Sequence, residues 1–329
     1  MGSIIKKKIL FYLITLILAV SINWLIPRLM PGDPVKIAVS QFQGSAESRN
    51  KMIHYYQKIF SLDQPWYRQY INYWMSIFTG DFGMSIAFRK PVSQIISGAY
   101  FFDIMLMFPA LILSFLFGNW LGALSRVNKK ADNVLMPVFY TFSSAPYFWY
   151  AVILIFIFAI NIEVFPVGGG YSPYLIPSFS FKFISSLFYH WILPFLTLFS
   201  VMLGQWAIGT RNMIIYEMGS DYSRYMESMG ASQNLIRKYA YKNCILPQIT
   251  GLAIRMGQFL SGALATEMVF NYPGLGYLLF RAITAQDYLL IQGCFFWIVI
   301  FVLFANITVD FLYIFIDPRV KYSYSVEVI

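Results

Sequence analysis

Apolar residues in this chain come in long uncharged runs, not at the spacing of a surface helix or a half-buried strand. The run from Ile9 to Ile26 holds no charge and follows Lys6-Lys7-Lys8. A hydrocarbon core about 30 Å thick takes about 20 helical residues, so this run predicts a membrane-spanning helix. A secretory leader would have an apolar region of about 7 to 15 residues before a small-residue cleavage site. Asn23-Trp24 followed by Pro27-Arg28 is a poor cleavage context, so the helix is read as retained. Further spans are predicted at Ile104 to Leu124, where Pro109 implies a kink, and within Val134 to Ile162. Three more are predicted from Trp191 to Thr210, from near Cys244 to Phe270, and from Leu289 to Ile316.

Between the first two spans the pattern changes. Residues 27–102 carry mixed charge, many aromatics and turn residues, and no window long enough to span. Ser48 to Phe60 and Pro65 to Phe78 are the predicted short helices. The organisation that follows is residues 1–26 as N-terminus and first span, 27–102 as an extracytoplasmic helical region, 103–317 as a five-helix core, and 318–329 as a tail. A second outside loop runs from Glu163 to Tyr189, where Gly168-Gly169-Gly170 lacks the strand and helix context of a phosphate loop. A third runs from Asn271 to Tyr288.

Composition agrees with a membrane protein. The 329 residues are 58% hydrophobic and only 12% charged, with a net charge of +9, whereas soluble domains are about a quarter charged. The basic residues flank the apolar runs, which favours membrane orientation over nucleic-acid binding. Arg126, Lys129, Lys130, Arg211, Arg224, Arg237, Lys238, Lys242, Arg319 and Lys321 join the N-terminal lysines on one side. The two short loops opposite hold only Lys182 and Arg281. The excess marks the cytoplasmic side and puts both termini there. Cys244 and Cys294 make neither a disulfide framework nor a metal-ligand spacing and read as buried apolar residues; His54 and His190 read as loop or interfacial residues. No Gly-Lys dipeptide occurs, so the chain lacks the ATP-binding loop G-x-x-x-x-G-K-[ST]. No catalytic pair and no metal cluster stands out, so neither a catalytic nor a metal role is assigned.

The densest charge in the second half lies from Asp221 to Pro247. Gly230 in its middle permits a left-handed turn, and Pro247 suits a helix start. A helical hairpin over residues 219–243, lying on the cytoplasmic surface, is the predicted structure, and a gripping partner is the reason for one. Within the fifth predicted span, Arg255 and Glu267 are charges that need a cavity or a partner.

Several of these segments carry a resemblance. Tyr222, Arg224, Gly230, Ala231 and Leu246-Pro247 resemble the EAA-type loop of ABC importer permeases. Glu267-Met268-Val269-Phe270-Asn271-Tyr272-Pro273-Gly274-Leu275-Gly276 is similar to the E-x-V-F-x-x-P-G-L-G signature of the dipeptide/oligopeptide/nickel permease family. Pro31-Gly32-Asp33-Pro34, Leu62-Asp63-Gln64-Pro65, Gln69-Tyr70, Gly80 to Ser85, Ser144-Ala145-Pro146-Tyr147-Phe148-Trp149, Asp287-Tyr288 and Asp317-Pro318-Arg319 continue the match in order. Tyr225 and Met226 stand where the family carries small residues, and Glu227 where a basic residue is common.

The resemblance implies an all-α membrane protein of six spans with the type I ABC importer permease fold, in a bacterial or archaeal cell membrane. It implies a heterodimer with a second permease, two cytoplasmic ATP-binding subunits and an extracytoplasmic substrate-binding protein. ATP and magnesium would act on those ATPase partners, with no cofactor on this chain. Asp221, Tyr222, Arg224, Glu227, Gly230, Ala231 and Arg237 become the ATPase-coupling candidates. Arg255, Gln258, Glu267, Asn271, Pro273 and Gly274 become the path or gate candidates. Oligopeptides are the first cargo reading, with oligosaccharides or nickel chelates as alternatives. A stand-alone secondary transporter and a membrane receptor or scaffold remain open as other classes.

Overall fold

The computed structural model describes residues 2–29, 45–59, 62–127 and 129–316, together with Val35 and Val39. Pro31 to Pro34, Asp317 to Arg319 and the tail 318–329 lie outside the described residues. Those described are helical apart from connecting segments and one isolated bridge between Met84 and Pro91. The helices are α1 (Gly2–Leu29), α2 (Ala46–Ile59), α3 (Trp66–Thr79), α4 (Val92–Val127), α5 (Lys129–Ser144) and α6 (Tyr147–Leu154). A π-helical stretch, Ile155–Asn161, continues α6. They are followed by α7 (Phe181–Met218), α8 (Asp221–Ser228), α9 (Gln233–Phe270), α10 (Leu275–Thr284) and α11 (Tyr288–Ile316).

Four of the helical stretches are long and apolar enough to cross a membrane: Lys6–Leu29, Val92–Ser125, Phe181–Met218 and Tyr288–Thr308. The bent pair of α5 with α6 and its π-helical extension makes a fifth if it is counted as one span. One uninterrupted span was expected within Val134 to Ile162, but the two parts meet at 109°. Pro146 is the cause: it holds ψ at 145° and N-caps α6, and a residue before proline is pushed out of the helical region. The second span was expected at Ile104, yet α4 begins at Val92. His54 and His190 lie within α2 and α7, not in loops.

Two compact units form. The first comprises Met1–Phe102 and Pro273–Leu303. Its core gathers Tyr73, Phe82, Val92, Ile96, Leu290, Ile291 and Cys294. Helices α4 and α11 approach so closely that a Cβ on Gly293 would lie 2.6 Å from Val92 Cγ1. A polar knot closes this unit. Ser85 Oγ donates to Asp287 Oδ2 at 2.6 Å, and the Ala87 amide donates to the same oxygen at 3.1 Å. Asp287 Oδ1 accepts from the Leu290 amide at 3.2 Å, capping α11. The segment Gly80 to Ser85 bends to reach it: Gly80 ends α3 at φ +70° and Gly83 lies at φ +81°. On α1, Asn23 donates to Tyr73 Oη at 2.6 Å and to the Gln292 carbonyl at 3.0 Å.

The second unit, Asp103–Tyr272 with the segment from Phe304, is built around α7. Helix α7 packs on α5 and α9 and buries Leu198, Val201, Met202, Trp206 and Ala207. Small residues let the backbones touch. A Cβ on Gly122 would stand 2.3 Å from the Ala207 carbonyl oxygen, and one on Gly118 would meet Trp206 Cβ at 2.6 Å. Gly118 and Gly122 form a small-xxx-small pair on α4, the spacing that brings membrane helices together. The glycine run Gly168-Gly169-Gly170 also has a packing role. Gly169 N–H donates to the Phe270 carbonyl at 2.7 Å, and a Cβ on Gly168 would fall 2.1 Å from that oxygen.

Candidate coupling hairpin and translocation residues

Helix α7 runs out of its apolar stretch to Met218, turns through Gly219 and Ser220, and gives way to the eight-residue α8. Asp221 sits in the first turn of α8, where a carboxylate suits the positive end of the helix dipole. The chain reverses at Gly230, whose φ of +82° is costly for a residue with a side chain. The Ala231 amide donates to the Met226 carbonyl at 3.0 Å, closing the turn. Ser232 then N-caps α9, its Oγ accepting from the Leu235 amide. Over 219–243 the chain is thus the short helix α8, a turn at Gly230 and the start of α9, which differs from the expectation at Pro247. That residue lies inside α9 rather than at its start. The 38-residue α9 joins the hairpin to the apolar segment as one continuous helix.

Among the coupling candidates, Asp221, Arg224, Glu227 and Gly230 are exposed, while Tyr222, Ala231 and Arg237 are half-buried. Glu227 Oε1 accepts from Gln233 Nε2 at 2.8 Å across the turn. Tyr225 and Met229 are 67% and 71% exposed, so the hairpin offers bulky side chains to whatever covers it. The residue that fastens α8 is one the sequence did not single out. Glu217 Oε2 accepts from Tyr222 Oη at 2.8 Å and from Asn243 Nδ2 at 3.2 Å. The Glu217 carbonyl accepts from Ser220 Oγ at 2.5 Å and Ser223 Oγ at 2.7 Å. One glutamate therefore ties together the end of α7, the first turn of α8 and Asn243 of α9. Burial, and then the Glu217 carboxylate, hold the Tyr222 phenol above its ordinary pKa, so it remains a neutral donor. Nearby, Arg211 makes a two-pronged ion pair with Asp132 of α5, both bonds at 2.7 Å.

The path candidates do not gather into one place. Arg255 lies over the Trp206 ring, 4.4 Å from its centroid. Glu267 is a dozen residues further along α9, about 18 Å by helical rise, and is almost fully buried at 1% exposure. Asn271 adopts the left-handed conformation that ends α9, and Gly274 N-caps α10. Pro273 lies between them, in the connection from α9 to α10. The signature from Glu267 to Gly276 is thus, on the backbone, a stop, a turn and a restart of helix. The Gln258 side chain lies outside the described residues. Gln248 and Tyr147, both near Arg255, were not anticipated. The seven-residue spacing of Gln248, Arg255 and Gly262 was the available signal.

The long apolar helices, two of them joined through an exposed hairpin, mark a multi-pass membrane protein. The chain belongs to the family described as binding-protein-dependent transport system inner membrane component, whose model matches residues 114–322. It is similar along nearly its whole length to glutathione transport system permease protein GsiC of Salmonella choleraesuis (strain SC-B67). That likeness is 29% identity over 322 residues, covering 97% of this chain and 99% of the relative. It is 31% identical over 316 residues to the probable D,D-dipeptide transport system permease protein DdpB of Escherichia coli (strain K12), covering 91% of this chain and 92% of that protein. The chain is accordingly a multi-pass membrane permease, not an enzyme.

Proposed function

We propose that this chain is one half of the translocation path of an ATP-driven importer of oligopeptides. A second permease would complete the path, two cytoplasmic ATPases would drive it, and an extracytoplasmic binding protein would deliver the cargo. The observation that carries this reading is the placement of α8. It is an exposed, short helix held at both ends by long apolar helices and locked to them by Glu217. A motion imposed on α8 by an ATPase would pass to α7 and α9 together, as a rigid-body displacement. Asp221, Tyr222, Arg224, Glu227, Gly230, Ala231 and Arg237 are the surface such an ATPase would grip or strain.

Six spans follow if the bent pair counts as one and α9 supplies another. Residues 244–270 of α9 are about 40 Å long by helical rise, enough to cross. The bias of basic residues supports a cytoplasmic position for the hairpin and both termini. Peptide cargo is favoured by the likeness to permeases of glutathione and dipeptide transport systems.

The test is ATPase activity of the complex purified through this chain and reconstituted in lipid. Its binding protein would be loaded in turn with peptides, oligosaccharides and nickel. Stimulation by the peptide-loaded protein is expected. Solute movement by this chain alone, with no ATPase bound, would overturn the proposal in favour of a stand-alone carrier.

A further inference from the structure

Part-way along α9, a set of hydrogen-bond donors faces no acceptor. Gln248, Arg255 and Gly262 are seven residues apart and so share one face of the helix. The Arg255 guanidinium stacks on Trp206 of α7. Gly209, one turn further along α7, leaves space for both polar groups. A Cβ there would lie 2.9 Å from Gln248 Nε2 and 3.4 Å from Arg255 Nη2. Tyr147, the first residue of α6, closes the other side. Its ring lies against Gly262, where a Cβ would come within 2.4 Å of it.

Gln248 is 2% exposed and Trp206 is fully buried, yet neither Gln248 Nε2 nor Trp206 Nε1 has a hydrogen-bond partner. Among the described residues, Arg255 makes no ion pair and no hydrogen bond. Unmet buried donors are costly, and a cation inside a span is retained where a cavity or partner uses it. Here every unmet group is a donor, and the central one is a planar, permanently charged fork. Such a fork is matched by a carboxylate, which accepts two parallel hydrogen bonds in one plane. The ring beneath Arg255 fixes the plane of the fork before a ligand arrives, which lowers the ordering cost of binding.

We infer that this face of α9, centred on Arg255 with Gln248 and Trp206, is a recognition point for a carboxylate of the peptide in transit. The inference rests on the reading of the chain as a peptide-importer subunit. Every linear peptide with a free C-terminus carries such a group, and acidic side chains supply a second source. A point of this kind holds the cargo by its one constant feature and leaves the side chains unread.

The experiment uses the reconstituted complex and three probes: trialanine, its C-terminal amide, and a tripeptide amide with one glutamate side chain. Uptake is measured for the wild type, Arg255→Gln and Trp206→Phe, and the binding protein's affinity for each probe is measured separately. After correction for that affinity, Arg255→Gln is expected to slow trialanine uptake by about tenfold or more. Uptake of the amide is expected to fall far less, so the ratio of acid to amide uptake drops. Trp206→Phe keeps an aromatic face beneath Arg255 but removes the indole N–H together with its five-membered ring, so a smaller loss of the same selectivity is expected. Restored dependence on Arg255 with the glutamate-bearing amide would show that a side-chain carboxylate serves as well; its absence would assign the site to the C-terminus. Equal slowing of acid and amide, or none, would overturn the inference and leave Arg255 as packing for Trp206. If Arg255→Gln fails to assemble, the acid-to-amide ratio of Trp206→Phe decides: a changed ratio supports the site, an unchanged one refutes it. Failure of the importer reading itself would appear differently, as no peptide-stimulated ATPase activity in the wild type.

Discussion

Asp287 and Glu217 are both carboxylates that tie helix ends together, but they do so in opposite settings. Asp287 is fully buried and joins segments 200 residues apart in sequence, with Ser85, Ala87 and Leu290 donating to its two oxygens. Glu217 is half-buried, and its partners Ser220, Tyr222, Ser223 and Asn243 all lie within 26 residues of it. A buried charge with several charge-assisted bonds is strongly destabilising to break. A half-exposed one is exchanged with water at little cost. The first is suited to a permanent fastening. The second is suited to a joint that holds its parts in one arrangement yet can shift when a partner pulls on it.

Removing Asp287 is the severest way to test this contrast. Asp287→Ala would leave the Ala87 and Leu290 amides and the Ser85 hydroxyl without their acceptor, at a cost of about 3 kcal/mol or more. Loss of the chain from the membrane, or a sharply lowered melting temperature in detergent, is expected. An Asp287→Ala protein that accumulates and melts like the wild type would erase the distinction between the two knots. Ser85→Ala takes away one donor and frees the Phe88 amide, which Ser85 Oγ accepts at 3.1 Å. It should cost about 1 to 2 kcal/mol by the same measurement.

Glu217→Ala separates stability from coupling. The melting temperature should move little, since the group is half-exposed and worth about 1 kcal/mol at most. Peptide moved per ATP hydrolysed should fall clearly, because the carboxylate link from Tyr222 of α8 and Asn243 of α9 to the end of α7 is gone. Unchanged coupling would mean that packing, not Glu217, carries the motion. Gly230→Val should act in the same direction. Its Cβ meets open space, so only the backbone at φ +82° resists, at about 1 to 2 kcal/mol.

The contrast also explains what was legible beforehand. The apolar runs predicted α1, α4, α7 and α11, since length and lack of charge are local properties. Gly230 was legible because few other residues accept its conformation. The continuity of α9 was not: the charge pattern marks where lipid would end, not where the helix does, and Pro247 fits inside a helix as well as at its start. The break at Pro146 was not read as one, although Ser143, Ser144 and Pro146 interrupt the apolar run there. Gly80 to Ser85 and Asp287-Tyr288 could be read only as separate motif fragments, because their pairing is a product of folding. The glycine run at 168–170 read only as part of a loop, while its demanding contact, the Phe270 carbonyl, lies a hundred residues on. Charge density marked the hairpin segment, and the resemblance singled out Tyr222, Arg224, Gly230 and Ala231 within it. Glu217 and Gln248 were missed, because what sets them apart is geometry: which donors they face or fail to face.

The finest test of the adjustable joint is Tyr222→Phe. It removes one hydroxyl, the 2.8 Å donor to Glu217, and leaves the ring in place. Asn243 still donates to the same oxygen, so α7 and α9 remain joined while α8 loses its link to the glutamate's carboxylate. The stability cost should stay under about 1 kcal/mol. The ratio of peptide moved to ATP hydrolysed should fall two- to threefold, about 0.5 kcal/mol, between wild type and Glu217→Ala. A ratio as poor as that of Glu217→Ala would place the whole linkage in the Tyr222 bond. A ratio equal to wild type would shift it to Ser220 and Ser223, whose hydroxyls hold the Glu217 carbonyl. In that case the joint is made by the backbone, and the carboxylate only stiffens it.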